Sequence, residues 1–442
     1  MDKMKNLENQ KIGIFGYGSE GKSLFNFLIK HGCKNIKIFD EKEPSRDLEG
    51  ESRIVSGNFE SGDYSDLNVV FRSPGIRLQR LKKFLPDSVE VSSPTNLFFE
   101  LSKAHTVGIT GTKGKSTTAL LVAKLLETNG CKVYVVGNIG DPMLDVLDEA
   151  DENSYCVVEL SSFQLQGLTY KPETAIILPI LIDHLDYHDG QEEYFLAKMN
   201  ILSDEKQAVI CDAKTSEKLP TKSSDNIITY SVSQDDANCI QDDSGFLCDI
   251  ANEKKILEGA VDFASGKQIP AVDLLAAYAF ACSQNLDFDL SKFSDFEKLP
   301  LRVQMVGSKK GVKFFNDSAS TNPLSTSKAM EMMTDPYFLI LGGSAKGIAF
   351  DELAQQIARD TNLEKVFLFG ATAAEIANLI KRLADKPLVV KGTLSDVFVD
   401  LPIELNEIGS VLFSPACASF DQYKNYKERG DDFNRLISLI NE

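Results

Sequence analysis

Apolar runs recur along the chain, each closed by a glycine or polar turn and followed by a stretch of helical period. The first is "KIGIFG" (11–16), leading into "KSLFNFLIKHG", with "NIKIFD" (35–40) and "LNVVFRSPGI" (67–76) after it. A second series comprises "HTVGITG" (105–111), "CKVYVVGNIG" (131–140), "YCVVELSSF" (155–163), "ETAIILPI" (173–180) and "QAVICDA" (207–213). A third comprises "GVKFFND" (311–317), "YFLILGG" (337–343), "KVFLFGA" (365–371) and "GSVLFSPA" (409–416). Runs that are apolar throughout, alternating with helical patterns, predict parallel sheets covered on both faces. The fold class is therefore α/β. Between about 214 and 260 the chain turns polar, and "CIQDDSGFLCDI" predicts a hairpin around Asp-Ser-Gly. Three α/β series predict three domains, 1–97, 98–299 and 300–442.

Composition narrows the function. A chain of 442 residues exceeds one ordinary domain. Its formal net charge of −18 repels nucleic acid and anionic membranes, so neither is an expected partner. A bound phosphate must then be held by local loops and a few lysines. The eight cysteines form no C-x-x-C pair and mostly sit in apolar runs, which reads as buried free thiols in a reducing, cytoplasmic setting. The first residues lack the apolar segment of a secretion signal, and no run is long enough to span a bilayer.

Ligands of open parallel sheets gather beyond the carboxyl ends of the strands. Those ends carry Gly16, Asp40, Gly111, Asn138, Glu159, Asp317, Lys346 and Ser414. "GITGTKGKSTT" (108–118) places Gly111, Thr112, Lys113 and Gly114 between a strand and an amphipathic helix. Glycine turns and a helix N-terminus suit a phosphate, with Lys115 reaching it and Ser116 or Thr117 offering a hydroxyl to Mg²⁺. The strict Walker A form is broken, since Ile109 stands where its first glycine belongs. "GYGSEG" (16–21) with Asp40 at the next strand end fits a dinucleotide fingerprint, and equally any diphosphate, that of a UDP-sugar included. Glu159 ends a strand expected to be buried, so its carboxylate should meet a cation. "IDHLDYH" (182–188) brings two of the four histidines together, and His184 with Glu159 would complete a Mg²⁺ site. Lys198, in a helical stretch, reads from the sequence alone as a solvated lysine.

In chain order, "SPGI", "GITGTKGKSTT", "GNIG", "ELSSFQL", "DHLDYH", "AK" (197–198), "NDSASTNP", "LGGSAKG" and "SPACASFDQYKNYKERGDDF" resemble the Mur ligase family. These segments span nearly the whole chain, and "ELSSFQL" and the last block resemble its D-glutamate-adding members. The resemblance implies a Rossmann-like first domain, a P-loop-type central domain with a parallel sheet and a small added hairpin sheet, and a Rossmann-like C-terminal domain. It implies a cytoplasmic, monomeric enzyme of small-molecule substrates, adding D-glutamate to UDP-N-acetylmuramoyl-L-alanine with ATP through an acyl phosphate. Lys115, Glu159, His184 and Lys198 would be catalytic. Two Mg²⁺ would be held by Ser116, Thr117, Glu159, His184 and Lys198, the last as its carbamate. Ser19, Glu20, Asp40, Ser73, Pro74 and Gly75 would hold the UDP part, Asn138 would contact the muramoyl part, and Ser161 would also bind substrate. Arg302, Asp317 and Asp273 would meet the nucleotide. Thr321, Lys346, Ser419 and Tyr426 would form the amino-acid pocket.

Four departures bear on that transfer. Ala319 replaces the lysine of the family's "NDSKATN", Leu301 replaces a histidine, Pro179 stands where asparagine is common, and "IPAVD" (269–273) replaces a His-Asn-x-x-Asn helix start. The alternatives are a Mur-type ligase of another amino acid such as L-glutamate, a NAD-dependent dehydrogenase, and a non-catalytic UDP-sugar-binding relative. The dehydrogenase leaves the second phosphate loop unexplained.

Overall fold

The computed structural model describes residues 2–41, 54–181, 187–203, 207–220, 227–233, 236–242, 245–250, 253–267, 269–296, 301, 303–344, 350–405 and 408–440. Among these the apolar runs do become strands, in three sheets. The first sheet holds β1 (Ile12–Phe15), β2 (Ile36–Asp40), β3 (Ile54–Ser56), β4 (Val69–Arg72) and β5 (Glu90–Ser92), in the order β3-β2-β1-β4-β5. All its pairings are parallel. β1 and β4 are buried along their whole length, as continuous apolar runs require. The order reverses between them, and in open parallel sheets such a reversal is where ligands are commonly bound. Helix Ser19–Lys30 follows β1. Gly21 lies so close to the Gly16 carbonyl that any Cβ would collide with it.

The second sheet holds β6 (His105–Thr110), β7 (Lys132–Gly137), β8 (Ser154–Glu159), β9 (Thr174–Ile177), β10 (Ala208–Asp212), β11 (Ile227–Ser231), β12 (Cys239–Asp242), β13 (Gly245–Ile250) and β14 (Glu253–Glu258). Its order is β14-β13-β12-β11-β10-β9-β6-β8-β7. The predicted hairpin forms between β12 and β13 and is added to the edge of this sheet through a short parallel pairing of β11 with β12. Antiparallel register sets Cys239 opposite Cys248, and the two are joined as a disulfide. This corrects the expectation of free thiols for that pair. Pairing depends on register across the hairpin, which separation along the chain does not reveal. The other six cysteines are free.

The first two sheets share one hydrophobic core, in which Ile14, Leu24 and Phe71 pack with Val136, Leu144, Leu160 and Leu165. Met1–Phe296 accordingly form one compact unit, and Glu297–Glu442 form a second. The second unit carries the third sheet, with β15 (Gln304–Lys309), β16 (Val312–Asn316), β17 (Tyr337–Gly342), β18 (Leu363–Phe369), β19 (Leu388–Val390) and β20 (Ser410–Phe413). Its order is β15-β16-β20-β17-β18-β19, parallel except for β15. No helix among the described residues is long and apolar enough to cross a membrane.

Candidate active site

The loop after β6 is built from two glycines. Gly111 has φ +152° and Gly114 φ +83°, the left-handed region that side chains avoid. Gly114 caps helix Lys115–Thr128, whose free N–H groups and dipole therefore face the loop. A Cβ on Gly114 would also strike the carboxylate of Asp273. Asp273 is 3% exposed, in the first turn of helix Ala271–Ser283, and it packs against the loop. Thr112 is drawn to the chain after β9, its hydroxyl accepting from Leu181 N at 2.9 Å and lying 3.1 Å from the Tyr194 hydroxyl. Lys113 is exposed.

Lys115 Nζ folds back to donate to the carbonyls of Gly111 and Thr112, both at 3.0 Å. Lys198 lies on helix Gln191–Met199 and is 1% exposed, so it is a buried residue and not a solvated one. Its Nζ donates to the same Gly111 carbonyl at 2.8 Å and sits 4.8 Å from the centre of the Tyr194 ring.

Glu159 ends β8 beside β6 and β7 and is 1% exposed. Its carboxylate accepts from Ser116 Oγ at 2.6 Å and from Asn138 Nδ2 at 3.0 Å. The chain just beyond three adjacent strands thus converges on one acid, whose partners in the described residues are neutral donors. A carboxylate beside a hydroxyl is the hard-oxygen donor set that Mg²⁺ takes. His184 lies outside the described residues. Its neighbour in the sequence, His188, is 2% exposed and bonded to Ser162 Oγ at 2.9 Å, among the rings of Phe163, Tyr187 and Tyr194. That is a packing role.

At the first sheet, Asp40 accepts from Tyr17 N at 2.7 Å, and Ser73 Oγ donates to the Gly16 carbonyl at 2.8 Å. Ser19 opens the helix after the glycine turn, and Gly75 is exposed beyond Pro74. Glu20 accepts from Gln164 Nε2 at 2.8 Å, and burial pushes its carboxyl up to about 7. Ser161 is committed to a helix cap, its N and Oγ both 2.9 Å from Gln164 Oε1. Gln164 therefore links the turn after β1 to the segment after β8. Nothing in residue order singles it out, nor Arg72, a charge closing an apolar run.

In the second unit, Asp317 follows β16 and is 3% exposed, accepting from Ser414 Oγ at 2.6 Å and Val303 N at 3.2 Å. Ser419 is buried, Thr321 half-buried, and Tyr426 opens the last helix, its carbonyl accepting from Ser318 Oγ at 2.8 Å. Arg429, also not foreseen, is wholly buried and ties the 318 loop to the 417–418 loop. It donates to Ser318 O at 2.9 Å, Cys417 O at 3.0 Å and Ala418 O at 3.2 Å. Burial lowers its guanidinium to about 10. Leu301 and Val303 have φ of +65° and +46°, strained values for such side chains. Arg302 and Lys346 lie outside the described residues.

Comparison with known proteins gives the family. Residues 109–261 match the Mur ligase middle domain. A UDP-N-acetylmuramoylalanine--D-glutamate ligase of Lactobacillus gasseri is 32% identical over 477 residues, covering 100% of this chain and 99% of that protein. One from Thermoanaerobacter sp. (strain X514) is 30% identical over 454 residues, covering 98% and 99%. Among solved structures, UDP-N-acetylmuramate-alanine ligase MurC of Thermotoga maritima has the same fold with a TM-score of 0.57 at 17% identity, covering 97% of this chain and 99% of that one. MurF ligase of the same organism, solved in complex with ADP, gives 0.56 at 16% identity, covering 98% and 96%. The phosphate loop, the acid at the end of β8 and relatives matching along the full length lead to one assignment: the chain belongs to the Mur ligase family.

Proposed function

We propose that the chain is an ATP-dependent ligase that adds D-glutamate to UDP-N-acetylmuramoyl-L-alanine in peptidoglycan precursor synthesis. One observation carries this reading: Lys115, Lys198, Ser116 and Glu159 converge on the glycine loop that caps helix Lys115–Thr128. In this reading residues 1–97 hold the UDP-sugar, 98–299 hold ATP and 300–442 hold the amino acid.

The backbone N–H groups at the start of the helix and the Lys115 ammonium would hold the terminal phosphates. A carboxylate oxygen of the UDP-sugar then attacks the γ-phosphorus, ADP leaves, and an acyl phosphate forms. The D-glutamate amine attacks the acyl carbon and loses a proton, and the tetrahedral intermediate collapses to amide and phosphate. Positioning and charge neutralisation account for most of the rate in such transfers. Ser116, Glu159 and His184 would hold Mg²⁺, which when bound neutralises phosphate charge. Carbamylation of Lys198 would replace the repulsion between two ammoniums at Gly111 by attraction, since the carbamate is an anion. Thr321, Lys346, Ser419 and Tyr426 would receive D-glutamate, and Arg302, Asp317 and Asp273 the nucleotide side.

Phosphate release from ATP, measured with UDP-N-acetylmuramoyl-L-alanine and a panel of amino acids, tests this. Release with D-glutamate alone supports it. Release only with L-glutamate or another amino acid removes the specificity, and no release with any amino acid removes the ligase reading.

A further inference from the structure

Arg72 is the last residue of β4 and lies in register with Phe15, the last of β1, at the point where the strand order of the first sheet reverses. It is 1% exposed. Its guanidinium donates to Pro74 O at 3.3 Å and Ile76 O at 2.7 Å, in the loop after β4. It also donates to Phe163 O at 3.0 Å and Gln166 O at 2.8 Å, in the segment after β8. The Tyr187 hydroxyl caps the same loop through Pro74 O at 2.9 Å. One planar fork therefore fixes the spacing of two loops that are remote in sequence, as a flexible ammonium could not.

The charge of Arg72 is solvated by carbonyls and not neutralised: among the described residues no carboxylate forms an ion pair with it. Glu20 is the acid whose charge it feels, and the upward shift of that carboxyl leaves Glu20 only partly ionised near neutrality. A buried cation without a full counter-ion is costly to keep. At a strand-order reversal, beside a glycine turn, an incoming phosphate anion offsets that cost.

We propose that Arg72 is a positioning residue of the ligase reaction. It sets the distance from the turn that holds the UDP diphosphate to the segment following Glu159, and its unneutralised charge draws the diphosphate to the end of β1. The inference rests on the first sheet being the UDP-sugar site.

The test uses full-length Arg72→Gln and Arg72→Lys, with UDP titration, KM for the UDP-sugar and for ATP, kcat and melting temperature. UDP affinity should fall about tenfold in Arg72→Gln with KM for ATP within about twofold of the parent. Arg72→Lys should recover much of the UDP affinity but not kcat, because it keeps the charge and loses the fork. A lower melting temperature with both KM values moving together, and lysine no better than glutamine, would reduce Arg72 to a structural role and overturn the inference. UDP affinity and kcat unchanged in both variants overturn it as well. Should Arg72→Gln fail to fold, Arg72→Lys decides alone, and parental kcat there is the overturning result. A parent chain that does not bind UDP overturns the reading of the first sheet and this inference with it.

Discussion

Lys115 and Lys198 donate to one oxygen, the Gly111 carbonyl, at 3.0 and 2.8 Å. Two ammoniums drawn to one backbone atom, one of them 1% exposed, repel each other, and an anion or a change of charge at either relieves the pair. Lys198→Ala is therefore expected to lose about a thousandfold in kcat, partly restored by short carboxylic acids and not by bicarbonate. An unaffected rate would remove the carbamate. Lys198→Met, which keeps the packing volume, should be equally inactive and melt close to the parent.

Glu159→Gln removes the charge and keeps a side-chain oxygen for one of the two donors, Ser116 or Asn138, which now reach separate carboxylate oxygens. Phosphate release should drop about a thousandfold while the melting temperature holds or rises, because a buried carboxylate costs more than an amide. A parental turnover rate would exclude Glu159 from the reaction centre.

Gly114→Ala imposes a side chain on a left-handed backbone and drives it into Asp273. Stability should fall by about 1–3 kcal/mol and ATP affinity at least about tenfold. Adding Asp273→Ala removes the collision but not the backbone strain, so the double variant should regain stability only in part. Full recovery, read by thermal melting, would show that φ at 114 is not constrained.

Glu20 gives a pH dependence of known sign. Its carboxyl is raised from 4.5 to about 7, so the folded chain holds this proton more tightly than the unfolded one. The associated stability is complete below 4.5 and is lost as pH rises through that value towards about 7. Glu20→Gln should therefore gain on the parent across this window, by about 1–2 kcal/mol after solvent screening. Melting temperatures of the two chains that run parallel from acid to alkaline pH would refute the shift.

Reducing the Cys239–Cys248 link, which closes a short hairpin, should lower stability by about 2 kcal/mol. Turnover should not change, since neither residue belongs to the phosphate loop. Thiol labelling before and after reductant, with melting curves, checks both points.

Much of the architecture was legible in residue order. Fully apolar runs such as "YCVVEL" and "YFLILGG" can only be covered strands, and they became β8 and β17. Gly111 and Gly114 sit at backbone angles that few other residues accept, so the glycine loop was written locally. The hairpin of β12 and β13 followed from its turn residues. The Mur ligase identity, too, was carried by motifs in sequence.

Tertiary structure decided where charged side chains end. Lys198 looked like a helix-face lysine because its partner, Gly111 O, is far away in the chain. Arg72 and Arg429 gave no signal, since nearly every acceptor they reach is a backbone carbonyl, which any residue supplies; the exception is Ser318 Oγ, which accepts from Arg429. The contact of Asp273 with Gly114 is set by how helix Ala271–Ser283 lies against the loop, which residue order does not show. The pairing of Cys239 with Cys248 depended on register. Apolar periodicity and backbone angles are local and survive in the one-dimensional sequence. Long side chains choose partners by proximity, and proximity exists only once the sheets have packed.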